Sequence, residues 1–120
     1  VYLDAPVMNY LSWPFALGEG QNDCSAEFIN NMGMNLSQML NFRNHPIDQK
    51  EALLKSGVPV ILVAGDSDKT VPFVENGKLL VDFYKQNGAE IEVIIKSGCD
   101  HHPHGLPDNT PIVDFIIKHY

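Results

Sequence analysis

Val58-Pro59-Val60-Ile61-Leu62-Val63-Ala64-Gly65 is the stretch that decides the fold. It is a continuous apolar run rich in β-branched residues, bounded by Gly57 and Gly65. A strand with one wet face alternates apolar and polar residues. A strand buried on both faces, as in a parallel sheet, does not. Residues 58–64 are therefore read as a central strand. The run passes directly into Asp66-Ser67-Asp68-Lys69-Thr70-Val71-Pro72, a polar loop with three ionisable side chains.

Working outward, helical pattern flanks this strand on both sides. Upstream, Asp48-x-x-Glu51 has the form of a capping box and Gly57 supplies a C-terminal stop. Downstream, residues 74–87 place Leu79, Leu80, Phe83 and Tyr84 on one face and end at Asn87-Gly88. Glu90–Ile95 (EIEVII) reads as a second strand, and Val1–Ala5 (VYLDA), closed by Pro6, as a third. Thr110-Pro111 reads as N-cap plus first-turn proline of a last helix, with Ile112, Val113, Ile116 and Ile117 apolar. Ser25 to Phe42 also has helical spacing, weakly interrupted by Gly33. Alternation of strands and helices predicts an α/β sheet of three parallel strands, near 1–5, 58–64 and 90–95 and adjacent in that order, with helices on both faces.

The bulk composition fits one domain. The 120 residues are 44 % hydrophobic and 19 % charged, which is ordinary for a folded chain. The net charge of −7 argues against a nucleic-acid partner, whose phosphates need clustered Lys and Arg. No apolar run is long enough to span a bilayer. Cys24 and Cys99 form no CxxC pair and do not indicate a compartment. There is no signal-peptide pattern. A chain that opens inside a strand is expected to be a piece of a longer protein.

In sheets of this kind, functional residues gather in the loops beyond the C-terminal strand ends. Two such loops hold most of the chemistry. The first is Gly65–Pro72, with Asp66 and Asp68. The second is Gly98-Cys99-Asp100-His101-His102-Pro103-His104-Gly105-Leu106, with three of the chain's five histidines. A histidine whose second ring nitrogen is oriented by a carboxylate can act as a general base. The bland alternatives are turn chemistry for the aspartates and a solvated polar loop for the histidines. A metal site is not expected: adjacent histidines point apart in most backbone conformations, and strong zinc spacings such as HExxH are absent. No cofactor is expected either.

Taken together, the two loops resemble the C-terminal portion of the α/β-hydrolase superfamily. The family pattern of strand, Gly-x-x-Asp-x-x-Val-Pro, helix, strand, Gly-x-x-His and final helix is matched by Gly65-x-x-Asp68-x-x-Val71-Pro72 and Gly98-x-x-His101. The resemblance covers residues 58–120 and extends less strictly over 1–57. It implies that Asp68 is the acid and His101 the base of a Ser-His-Asp triad, with Asp66, His102 and His104 as competitors. The family order puts the serine upstream, in a Gly-x-Ser-x-Gly elbow. No such motif occurs here, and Gly65-Asp66-Ser67-Asp68-Lys69 lacks its last glycine. The 120-residue chain alone is therefore expected to be inactive.

Within the superfamily, the string His101-His102-Pro103-His104-Gly105-Leu106 is similar to that of bacterial carbohydrate-esterase-like and prolyl-oligopeptidase-like hydrolases. The resemblance implies a small-molecule or carbohydrate ester as substrate, and a periplasmic or secreted setting if that substrate is a polysaccharide. A peptidase of the prolyl-oligopeptidase type is the alternative. A third reading is a partial, non-catalytic domain. The unpaired edge of residues 1–5 would then invite association with a partner or a second copy. A GDSL-type esterase is rejected. Gly65-Asp66-Ser67 and Gly20-Gln21-Asn22-Asp23 stand in the wrong order for it, and Asp100 is followed three residues on by Pro103 instead of His. Trp13-Pro14-Phe15 is read as a loop packing over the site, Cys99 as structural, and His45-Pro46-Ile47-Asp48 as positioning the helix that follows.

Overall fold

In the computed structural model, which describes all 120 residues, three strands form one sheet: β1 (Tyr2–Asp4), β2 (Ile61–Gly65) and β3 (Glu92–Lys96). Their order is β1-β2-β3, and both pairings are parallel, with Tyr2 opposite Ile61 and Leu62 opposite Val93. The helices are α1 (Ser25–Met32), α2 (Leu36–Asn41), α3 (Lys50–Ser56), α4 (Gly77–Gln86) and α5 (Thr110–His119), with single 3-10 turns at Pro46–Gln49 and Phe73–Glu75. No helix is long and apolar enough to cross a membrane.

The central strand is buried along its whole length, as its continuous apolar sequence requires. Its side chains alternate between two cores. Ile61 and Val63 pack with Ile112 and Phe115 of α5. Leu62 and Ala64 pack with Val81 of α4, and Val60 with Leu80 and Tyr84 of the same helix. The sheet therefore carries α4 on one face and α5 on the other. Burying side chains of this size stabilises the fold by about 1.5–3 kcal/mol each.

Several boundaries differ from the sequence reading. β2 starts three residues later than expected, because Val58 and Pro59 still belong to the turn after α3 and Pro59 has no N–H for a ladder. The interruption at Gly33 between Ser25 and Phe42 is a full break into two helices. Gly33 closes α1 in the left-handed region at φ 64°, and Asn35 and Gln38 form a capping box that starts α2. Asp48 does not cap α3. It caps the preceding 3-10 turn, accepting from the amide of His45 at 2.8 Å, and Gln49 takes the N-cap position without a side-chain bond. Thr110 is the first residue of α5 and not its cap, because Asp108 accepts from its amide and hydroxyl and Asn109 precedes the helix. Leu79 faces solvent, and Val81 takes its place in the core. Of the four residues read as apolar on α5, only Ile112 is buried. Val113, Ile116 and Ile117 are exposed, and Phe115 fills the core instead.

Residues 6–24 run from the end of β1 across the molecule and carry Ser12, Pro14 and Phe15 into buried positions. The buried Asn76, just before α4, holds this segment. Its side-chain oxygen accepts from the amides of Met8 and Asn9, both at 3.0 Å. Further along, the amide of Gln21 donates to the carbonyl of Thr70 at 3.2 Å. The segment therefore lies against the acidic loop, and within it Pro14 and Phe15 are buried, with Phe15 meeting Phe28 edge-on.

Candidate functional site

The three strands deliver three carboxylate- or histidine-bearing segments to one end of the sheet. β1 ends at Asp4, β2 leads into Asp66 and Asp68, and β3 leads into His101, His102 and His104. Parallel pairing puts all three C-terminal ends together, and neighbouring strands lie about 5 Å apart. Residues 33 apart in sequence thus become neighbours through one βαβ crossover.

Asp68 and His101 are in direct contact. His101 Nδ1 lies 2.9 Å from Asp68 Oδ2, with the aspartate side chain 1 % exposed and the histidine 19 %. The other oxygen, Oδ1, accepts from the amides of Thr70 at 3.0 Å and Val71 at 2.8 Å. Both oxygens are thus committed as acceptors. A carboxylate has no proton to give, so Nδ1 of His101 is the donor. That fixes the neutral imidazole in the tautomer whose Nε2 carries the free lone pair.

The other aspartates hold the loops. Asp66 Oδ1 accepts from the amide of Gly98 at 2.7 Å and the hydroxyl of Ser67 at 2.9 Å, tying the acid loop to the histidine loop. Asp100 Oδ1 accepts from the amides of Lys69 at 2.9 Å and His101 at 2.7 Å. The bond from Lys69, and then that from His101, hold its carboxyl below the usual carboxylate range. Asp66 therefore competes with Asp68 in sequence but not in space.

Gly65 is required by this close approach. A β-carbon there would be driven into the carbonyl oxygen of Cys99 and lie 2.9 Å from that of Asp100. Both obstacles are backbone atoms and cannot swing aside. Gly65→Ala is expected to part the two loops and lower stability by about 2–3 kcal/mol. Chemical denaturation checks this; a midpoint equal to that of wild type would contradict the packing.

The expectation that the three histidines diverge is overturned. The ring centroids of His101 and His102 are 5.0 Å apart, those of His101 and His104 5.0 Å, and those of His102 and His104 4.6 Å. One ring nitrogen from each lies within 4.8 Å of the other two. The turn is held in place by two clamps. Lys96 Nζ donates to the carbonyl of Pro103 at 2.6 Å, and the amide of Gly105 donates to Asp4 Oδ2 at 2.6 Å.

Asp4 was not singled out by sequence, although a carboxylate at the end of a parallel strand is in the right place to matter. Its Oδ2 also accepts from the Tyr2 hydroxyl at 2.8 Å. Burial, followed by this bond and the charge of Asp4, pushes the Tyr2 phenol up to about 12. Asp4 Oδ1 is buried without a hydrogen-bond partner, and His104 Nδ1 is 3.6 Å away.

A cavity of about 690 Å³ opens at the opposite end of the sheet, between Val58, Val60, Tyr84, Ile91 and Phe115. No histidine–carboxylate contact lies within it. The histidine–carboxylate contacts therefore sit at the strand C-termini and not in this cavity. No family model, curated protein or solved structure matches the chain.

Proposed function

We propose that residues 1–120 form the C-terminal part of an α/β-hydrolase and supply the acid and base of a Ser-His-Asp triad. The observation that carries this reading is the buried Asp68 bonded to His101 Nδ1 across adjacent parallel strand ends, with Nε2 left free. A buried carboxylate fully satisfied by two amides and one imidazole orients a base. A solvated turn has no need of such an arrangement.

In the proposed reaction, a serine outside residues 1–120 gives its proton to His101 Nε2 as its oxygen attacks the ester carbonyl. The imidazolium, stabilised by Asp68, then gives that proton to the departing alkoxide, leaving an acyl-enzyme. Water attacks the acyl carbonyl, its proton passes to Nε2, and the serine leaves with that proton to restore the resting state. The substrate class proposed is a carboxylic ester, with an acylated carbohydrate preferred on the resemblance of the His101–Leu106 string.

The test is made on the intact protein that carries these residues. A fluorophosphonate probe is expected to label one serine covalently and to abolish release of p-nitrophenol from p-nitrophenyl acetate. Acetylated xylo-oligosaccharides are expected to release acetate. If neither ester nor peptidyl anilide turns over and no serine is labelled, the reading fails. Turnover of the anilide alone would shift it to the peptidase.

A further inference from the structure

We propose that His101, His102 and His104 form a three-histidine site for a divalent transition-metal ion of the zinc class. Each of the three imidazoles offers a ring nitrogen, and these nitrogens lie mutually within 4.8 Å. A tetrahedral zinc with Zn–N bonds of about 2.0–2.1 Å needs nitrogens about 3.3 Å apart. Closing that difference takes a shift on the order of 1.5 Å. His102 and His104 are exposed and reach it by side-chain rotation. The rings are tilted 76°, 82° and 85° to one another, so none is stacked flat on its neighbour.

Two carboxylates stand behind the rings. Metal-bound histidines usually donate their other ring N–H to a carboxylate, which orients the ring and raises its basicity. His101 Nδ1 has Asp68 at 2.9 Å, and His104 Nδ1 has Asp4 Oδ1 at 3.6 Å. The Asp4 oxygen is buried and otherwise unpartnered, so the shift that lets His104 bind metal can also complete its hydrogen bond. Asp4 ends β1 and Asp68 lies in the loop after the neighbouring β2, held there by the amides of Thr70 and Val71. Two carboxylates behind three neutral imidazoles also balance a dication. The fourth position of the ion stays open to water or another small ligand.

The metal site stands on this geometry alone. Its consequence for activity rests on the hydrolase reading. An ion on His101 Nε2 occupies the lone pair that would take the serine proton, so bound metal withholds the base and a chelator restores it.

The experiment titrates tag-free intact protein with ZnCl2 by calorimetry and with CoCl2 by visible absorption. One ion per chain is expected, with the intense bands of tetrahedral cobalt. His102→Ala and His104→Ala are each expected to weaken binding at least tenfold, and Asp4→Asn about 10–100-fold. No saturable binding, or binding unchanged in both histidine variants, overturns the proposal. Neither readout depends on turnover. A protein that binds one ion through these histidines but hydrolyses nothing even after the ion is removed with a chelator supports the metal site and counts against the hydrolase reading. An active esterase that binds no metal does the reverse.

Discussion

Asp68→Asn is expected to lower ester turnover by about 10⁴-fold and His101→Ala by at least about 10³-fold, with both proteins folded. The asparagine result follows from the hydrogen-bond arithmetic of the site. In wild type, Oδ1 accepts from the amides of Thr70 and Val71, and Oδ2 accepts from His101 Nδ1. Asparagine has one oxygen. If it faces the two amides, its NH₂ faces Nδ1, which must then become an acceptor. The proton moves to Nε2, and the imidazole can no longer take one from the serine. If the amide is flipped, its NH₂ meets two N–H groups of the backbone, which is worse. The first arrangement wins, and it holds the base in the wrong tautomer.

A control separates this from general loop damage. Asp66→Asn keeps an oxygen for the Gly98 amide and the Ser67 hydroxyl. Its turnover is expected to stay within about threefold of wild type, because neutral acceptors at exposed sites lose little. The measurement is single-turnover acylation of the intact protein by p-nitrophenyl acetate. Wild-type rates in both Asp68→Asn and His101→Ala would remove the acid–base assignment. A loss confined to Asp66→Asn would move the acid to that residue.

The fold was legible because its strongest signal is one-dimensional. An apolar run between Gly57 and Gly65 specifies a doubly buried strand whatever surrounds it, and the helices on either side follow from punctuation by Gly57, Asn87 and Gly88. Element ends were harder. Whether Asp48 caps an α-helix or a 3-10 turn depends on one residue of backbone geometry, and no spacing encodes that. The contact of Asp68 with His101 was legible because a single crossover brings the two loops together and the resemblance implied that pair within them. The convergence of the three histidines was not. It depends on the path of a short turn clamped by Lys96 and by Asp4, the latter 101 residues from Gly105 in sequence. The apolar residues of α5 divide between core and solvent. Periodicity finds an apolar face but cannot say which of its residues the sheet covers.

Asn76 was invisible to sequence reading, since an isolated asparagine belongs to no pattern, yet Asn76→Leu is expected to destabilise the protein by about 3–5 kcal/mol. The side chain is 1 % exposed, and all of its hydrogen-bonding groups are engaged. Oδ1 accepts from the amides of Met8 and Asn9, while Nδ2 donates to Ser12 Oγ at 3.1 Å and to the carbonyl of Pro72 at 3.0 Å. Leucine fills nearly the same volume and pairs with none of them. Each buried group left without a partner costs about 1–3 kcal/mol, partly recovered where water can reach it. Ser12→Ala removes only one of these bonds and is expected to cost about 1 kcal/mol. Because Ser12 acts here through Asn76, adding Ser12→Ala to Asn76→Leu is expected to cost much less than it does alone. Urea denaturation of the four proteins measures the cycle. Its coupling would report the joint between the covering segment and the acid loop, since Pro72 follows directly on Val71, whose amide holds Asp68. A shift under 1 kcal/mol for Asn76→Leu, or strict additivity with Ser12→Ala, would show that this joint is not what keeps the segment in place.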